Sequence, residues 1–265
     1  MNIFSQELKT SALSMLYWTI AILLFVLLFM FLYPPISKDI AVLESIMNNF
    51  PLQLRRALGI TTLNLSEVLG YYGFIFEYVL LIGSVYAMAL GLAVLSEEVR
   101  AQTADFLFSK PVDRSSIFKA KILSVLANLV VQNLLLASIA YMIIKAFAEV
   151  PFNKQAFILI NGGLFQMQLF FVAIGLFLSE TLRKIKAVLP IALGVVFFFF
   201  ILQMINQSLN DPKLAYFTPF AYFDLAQIIQ TVQYNTSFVL INIVLITALT
   251  IMSYIIYQRK DLPSL

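Results

Sequence analysis

Neither cysteine nor histidine occurs in the 265 residues, and charged side chains make up only 12% of them. Without cysteine, disulfides and thiolate metal sites are excluded. Without histidine, the commonest metal ligand and the usual general base are both missing. Metal-assisted or histidine-based hydrolases and transferases therefore lack their residues, and no cluster of intramembrane acids replaces them. Glycine is sparse, and none of the nine glycines precedes a lysine. The chain thus has no G-x-x-x-x-G-K-[ST] loop with which to cradle phosphates.

What is abundant is apolar surface: 61% of the residues, against about half apolar and about a quarter charged in a soluble domain. Six runs are long enough to cross a hydrocarbon core, which takes about 20 helical residues: Met15–Leu32, Tyr72–Leu95, Ile122–Ile144, Ala156–Leu178, Val188–Ile205 and Phe238–Tyr257. Transmembrane β-strands would instead alternate over ten-residue segments. The fold class is all-α and integral to a membrane, with six spans in one domain over residues 1–265. The first run is read as a retained anchor, because Phe31–Pro35 replaces a small-residue cleavage site. With the N-terminus inside, eleven Lys and Arg fall on the cytosolic side and six outside, so both termini are expected in the cytosol. The net charge of +3 follows that topology and calls for no nucleic acid.

The longest charged island is Ser96–Lys121, SEEVRAQTADFLFSKPVDRSSIFKAK. Val99, Thr103, Phe106, Leu107 and Lys110 recur at helical spacing and give it one apolar face. Pro111 ends that helix, because the residue before a proline is pushed out of the helical region. A solvated basic loop would explain the charges but not the stripe. The sequence Glu97, Glu98, Thr103, Phe106-Leu107, Ser109, Pro111, Arg114, Lys119, Lys121 resembles the cytoplasmic signature of type-two (ABC-2-like) export permeases. The resemblance covers the layout of the whole chain and is specific in residues 96–121, with weaker support at Tyr216–Asp224 and Tyr257–Pro263.

That resemblance implies the transmembrane permease of an ATP-driven exporter. ATP and Mg would be held by a separate ABC ATPase, in two copies, and the chain itself would bind no cofactor and no metal. A second permease, identical or homologous, would complete the pathway in a bacterial cytoplasmic membrane. Glu97, Glu98, Val99, Arg100, Thr103, Phe106, Leu107, Lys110, Pro111 and Arg114 would form the coupling helix that docks on the ATPase. Phe106 and Leu107 would be its anchors, and the two acids complement the helix dipole. A second contact at Glu180–Lys186 competes with ordinary positive-inside anchoring. The few fixed charges inside favour an amphipathic or hydrophobic cargo such as a drug, antimicrobial peptide or lipid-like molecule. The alternative is an ion-coupled secondary carrier or channel, which would want intramembrane charge, broken helices and repeats.

Residues 2–13 read as an N-terminal elbow helix on the inner leaflet, or as a flank that continues the first span. Pro34–Gly70 reads as an outer cap with a helix broken near Pro51 and a second piece, Leu52–Leu58, carrying Arg55 and Arg56. Asn206–Ser237, with its prolines and aromatics, suits a partly re-entrant or interfacial helix pair. Glu77 is the one acid inside an expected crossing, although Tyr78–Leu95 alone offers 18 uncharged residues and would leave it among headgroups. Asn128, Gln132, Asn133, Gln166, Gln168, Gln203 and Asn206 are expected to hydrogen-bond between helices or line a route. Gly162, Gly163, Gly175 and Gly194 are expected where helices approach or bend. Within Phe197–Phe200, Phe197 and Phe200 are candidates for the pathway or the permease–permease seam, with Phe198 and Phe199 pointing elsewhere.

Overall fold

A computed structural model describes residues 3–39, 45, 47, 49–100, 113–182, 185–209 and 211–259, without the side chains of 98–100. Six long helices dominate: α1 (Ile3–Phe31), α4 (Val68–Arg100), α5 (Arg114–Phe147), α6 (Lys154–Thr181), α7 (Val188–Leu209) and α9 (Thr236–Arg259). Short helices α2 (Tyr33–Lys38) and α3 (Leu52–Ala57) follow α1, and α8 (Leu225–Thr231) precedes α9. Six helical stretches are long and apolar enough to cross a membrane, and they correspond one to one with the expected runs. Each helix is longer than its apolar run, because polar residues flank the crossing: α4, at 33 residues, is about 50 Å long at 1.5 Å per residue.

The helices α4 and α6 form the centre and pack most extensively on each other. Lipid is as apolar as leucine, so helices in a bilayer associate through close packing and polar contacts rather than through hydrophobic burial. Both devices are present. Gly91 and Gly175 sit at the α4–α6 crossing, where a Cβ on Gly91 would lie 2.5 Å from the Val172 carbonyl oxygen and one on Gly175 2.7 Å from that of Met88. The polar device is a ladder in mid-bundle: the Gln168 amide donates to Gln132 at 3.0 Å, and the Asn133 amide donates to Gln168 at 2.6 Å. These are the interhelical bonds expected of those amides. Asn242 on α9 reaches the Gln166 carbonyl at 3.4 Å. By contrast, α7 and α9 bury little of themselves and leave long apolar faces outward.

Two expectations are corrected. No elbow breaks away over the described residues 3–13, because α1 is one helix from Ile3 to Phe31 and the first span is continuous with its flank. Gly194 meets no close helix: a Cβ added there finds nothing within 4 Å. Of the expected cap, the second piece is present as α3, which starts after Pro51; of the expected helix before it, residues 40–44, 46 and 48 lie outside the described residues.

Candidate functional site

Contacts made by α5 and α9 define one end of the bundle. Lys121 on α5 pairs with Glu7 on α1 at 2.7 Å, and the Tyr254 hydroxyl of α9 donates to Ser115 at 3.1 Å. Phe118 packs its ring on Tyr254 and Tyr257. The start of α1, the start of α5 and the end of α9 therefore meet at this proximal end, beside the last residues of α4. Lys121 is almost wholly buried and also donates to the Val94 carbonyl at 2.6 Å. Two turns further along α5, the Asn128 amide donates to Ser11 at 3.0 Å while its oxygen accepts from the Tyr86 hydroxyl. Together these groups rivet α1 to α4 and α5. A cavity of about 360 Å³ lies beside the rivet, lined by Glu7, Ser14, Trp18, Tyr86 and Glu97.

Of the expected coupling residues, Glu97 lines that cavity near the end of α4, and Glu98, Val99 and Arg100 are its last helical residues. Arg114 begins α5, after Asp113. Thr103, Phe106, Leu107, Lys110 and Pro111 lie outside the described residues. Of the expected second contact, Glu180 is buried and Lys186 is exposed, while residues 183 and 184 lie outside the described residues.

At the opposite, distal end the chain folds back into its own bundle. Thr218 and Pro219 open a 3₁₀ turn, Pro219–Phe223, whose side chains are all buried against α6, α7 and α9. Asp224 then caps α8 by accepting from the amides of Ala226 at 2.9 Å and Gln227 at 3.2 Å. Tyr222 stacks on Phe238, and the Tyr222 hydroxyl donates to the Tyr216 carbonyl at 2.7 Å. Tyr234 donates to the Leu159 carbonyl. Burial pushes this hydroxyl up to about 12, so it remains protonated and a donor throughout the physiological range. In place of the expected partly re-entrant or interfacial helix pair, the segment is formed by two 3₁₀ turns, Leu214–Phe217 and Pro219–Phe223, and one short helix.

Between that segment, α4, α7 and the loop after α3 lies a cavity of about 510 Å³. Glu77 lines it, nine residues into α4. The Gln207 amide donates to its carboxylate at a long 3.4 Å. Gly59 packs directly against the same carboxylate: a Cβ there would fall 2.7 Å from both oxygens. Gly59 also carries φ +70, where α3 ends in a Schellman turn: the Ile60 amide reaches the Arg55 carbonyl at 3.1 Å and the Gly59 amide that of Arg56 at 2.9 Å. One glycine thus ends the helix and makes room for the acid. Gln203 and Asn206 line the cavity with Gln207, on the inward face of α7.

The Phe197–Phe200 run is divided differently from the expected pairing. Phe200 lines the cavity and packs on Phe220, with ring centroids 5.5 Å apart. Phe199 turns inward onto Phe170 and Phe171, whereas Phe197 and Phe198 are 44% and 59% exposed. Sequence reasoning missed the convergence of Glu77 with Gly59, Gln207 and Asp224, since no spacing links residues so distant in the chain. It also missed the burial of Lys121, although a signal was present: Ile117, Lys121, Val125 and Leu129 recur every fourth residue on one helical face.

Among the described residues an all-helical bundle with six candidate spans defines the class as a multi-pass membrane protein. The sequence matches the family described as ABC-2 family transporter protein over residues 1–262, and the chain belongs to that family. A search among curated proteins found no match. Membership makes the chain an ABC transporter permease, a transmembrane subunit without a catalytic domain that binds no cofactor itself and works with ABC ATPase subunits. It decides against the ion-coupled carrier or channel.

Proposed function

We propose that the chain, acting as one permease domain over residues 1–265, exports an amphipathic or hydrophobic cargo from a bacterial cytoplasm. Energy comes from two copies of a separate ATPase that holds ATP and Mg, and a second permease, identical or homologous, completes the pathway. The observation that carries this reading is where the two described ends of residues 96–121 lie. Residues 96–100 finish α4, the most buried helix, and residues 114–121 begin α5, where α1 and α9 are riveted. A push on that connection is delivered to the packed centre rather than to a loose loop.

In this reading the proximal end is cytosolic and the distal cavity faces outward, as the eleven-to-six basic bias requires. Phe106 and Leu107 enter a groove of the ATPase. Phe106→Asp or Leu107→Asp would bury an unpaired carboxylate at that contact, which is strongly unfavourable. Each should reduce co-purification of the ATPase while the permease still inserts. Ser116→Asp, at an exposed position on α5, should leave it intact. Equal recovery of the ATPase with all three variants would overturn residues 99–110 as the docking helix.

A further inference from the structure

The distal cavity combines features that suit one kind of ligand. Its size, about 510 Å³, falls in the range of small-molecule pockets, about 300–1,000 Å³, and exceeds what a bare ion needs. Its lining includes the rings of Phe200, Phe220 and Phe223. The same lining carries Glu77 and the exposed Asp224. Glu77 is poorly compensated: its hydrogen bond from Gln207 is 3.4 Å long, and among the described residues no Lys or Arg pairs with it. Asp224 uses one oxygen to cap α8 and keeps the other. Arg56 also lines the cavity, as an exposed side chain on the short helix α3.

A carboxylate held in a partly apolar chamber is costly unless a cation meets it. Ring faces are in turn attracted to cations, most strongly where water is excluded. We propose that this cavity binds an amphipathic organic ammonium, its charged head against Glu77 and Asp224 and its apolar body on Phe200, Phe220 and Phe223. The inference rests on the exporter reading and narrows the cargo to cationic amphiphiles. Gly59 is part of the device, because it lets the capping loop close over the acid without a side chain intervening.

The natural absence of cysteine provides the test. Thr61→Cys, on the cavity lining, is introduced into the full chain in lipid nanodiscs and labelled with an uncharged maleimide. Benzyltrimethylammonium should slow labelling in a saturable way, whereas its uncharged carbon isostere neopentylbenzene and the anionic benzylsulfonate should not. Adding Glu77→Gln should weaken the protection about tenfold or more, the usual consequence of losing one charge-assisted contact. Protection by all three compounds alike, or none at millimolar ammonium, would overturn the proposal. The comparison of the three probes needs only the Thr61→Cys chain, so it stands even where Glu77→Gln fails to fold. Co-purification of the ATPase is measured in parallel: its loss would sink the exporter reading while leaving ammonium protection intact.

Discussion

Lysine 121 shows how a membrane protein uses a charge that it cannot leave in lipid. Its side chain is 2% exposed and that of Glu7 is 18% exposed, so the pair is shielded but not sealed. Removing one partner of a shielded pair strands the other, which costs about 3 kcal/mol, whereas removing both is far milder. Lys121→Met should therefore lower the thermal stability of the detergent-solubilised permease sharply. Glu7→Gln should do so less, since the lysine keeps the Val94 carbonyl. The double variant should recover part of the loss in a double-mutant cycle. Strictly additive losses would show that the two side chains are not coupled and that the contact does not rivet α1.

Among elements, composition and hydropathy specify which segments are helical and where they cross. The six runs were legible for that reason, and so was the folded-back Asn206–Ser237 segment, because prolines and clustered aromatics forbid a plain span there. The missing elbow was not legible. Ile3, Phe4, Leu8, Ala12 and Leu13 make an apolar stripe that serves equally for a helix lying on a membrane and one continuing into it. The choice was decided by Glu7 and Ser11, which bond to α5 in the bundle. Nor could the sequence tell Gly175 from Gly194, because a glycine requires space only where another backbone arrives. Gly175→Val would drive its side chain into Met88 and Leu92 backbone, 2.7–2.8 Å from the first added carbon. Backbone cannot yield as a side-chain tip does, and overpacking typically costs about 1–3 kcal/mol or more. Gly175→Val should thus cut the yield of folded permease, whereas Gly194→Val should leave its monomer stability unchanged. Equal thermal midpoints for the two variants would contradict the close α4–α6 crossing.

At the scale of the whole molecule, orientation follows from the basic bias and partnership from the exposed face of α7. In intact cells an impermeant thiol reagent should label Ser45→Cys and spare Ser116→Cys, since the latter sits on the proximal end with the basic excess. The reverse pattern would invert the topology and place the ammonium cavity in the cytosol. The partner permease concerns α7. Leu189, Leu193, Phe197, Ile201, Ile205 and Leu209 are all at least 37% exposed and follow one another every fourth residue, a single outward stripe. Beside Leu193 lies Gly194 with open space where a Cβ would go. A small residue beside bulky neighbours is the feature that lets a second helix approach closely in lipid. A face meant for lipid alone has no need of it, and α9 presents a similar apolar face at Leu240, Val244 and Ile251 without a glycine. We therefore propose that Phe197, on the outward stripe, faces the seam, while Phe200 lines the cavity. If two copies of this chain pair, Phe197→Cys should crosslink into a dimer under mild oxidation and Val244→Cys should not. Adding Gly194→Leu, which fills the notch, should suppress that crosslink with the helices still inserted. Crosslinking of both cysteines alike, or a Phe197→Cys crosslink unaffected by Gly194→Leu, would remove α7 from the seam.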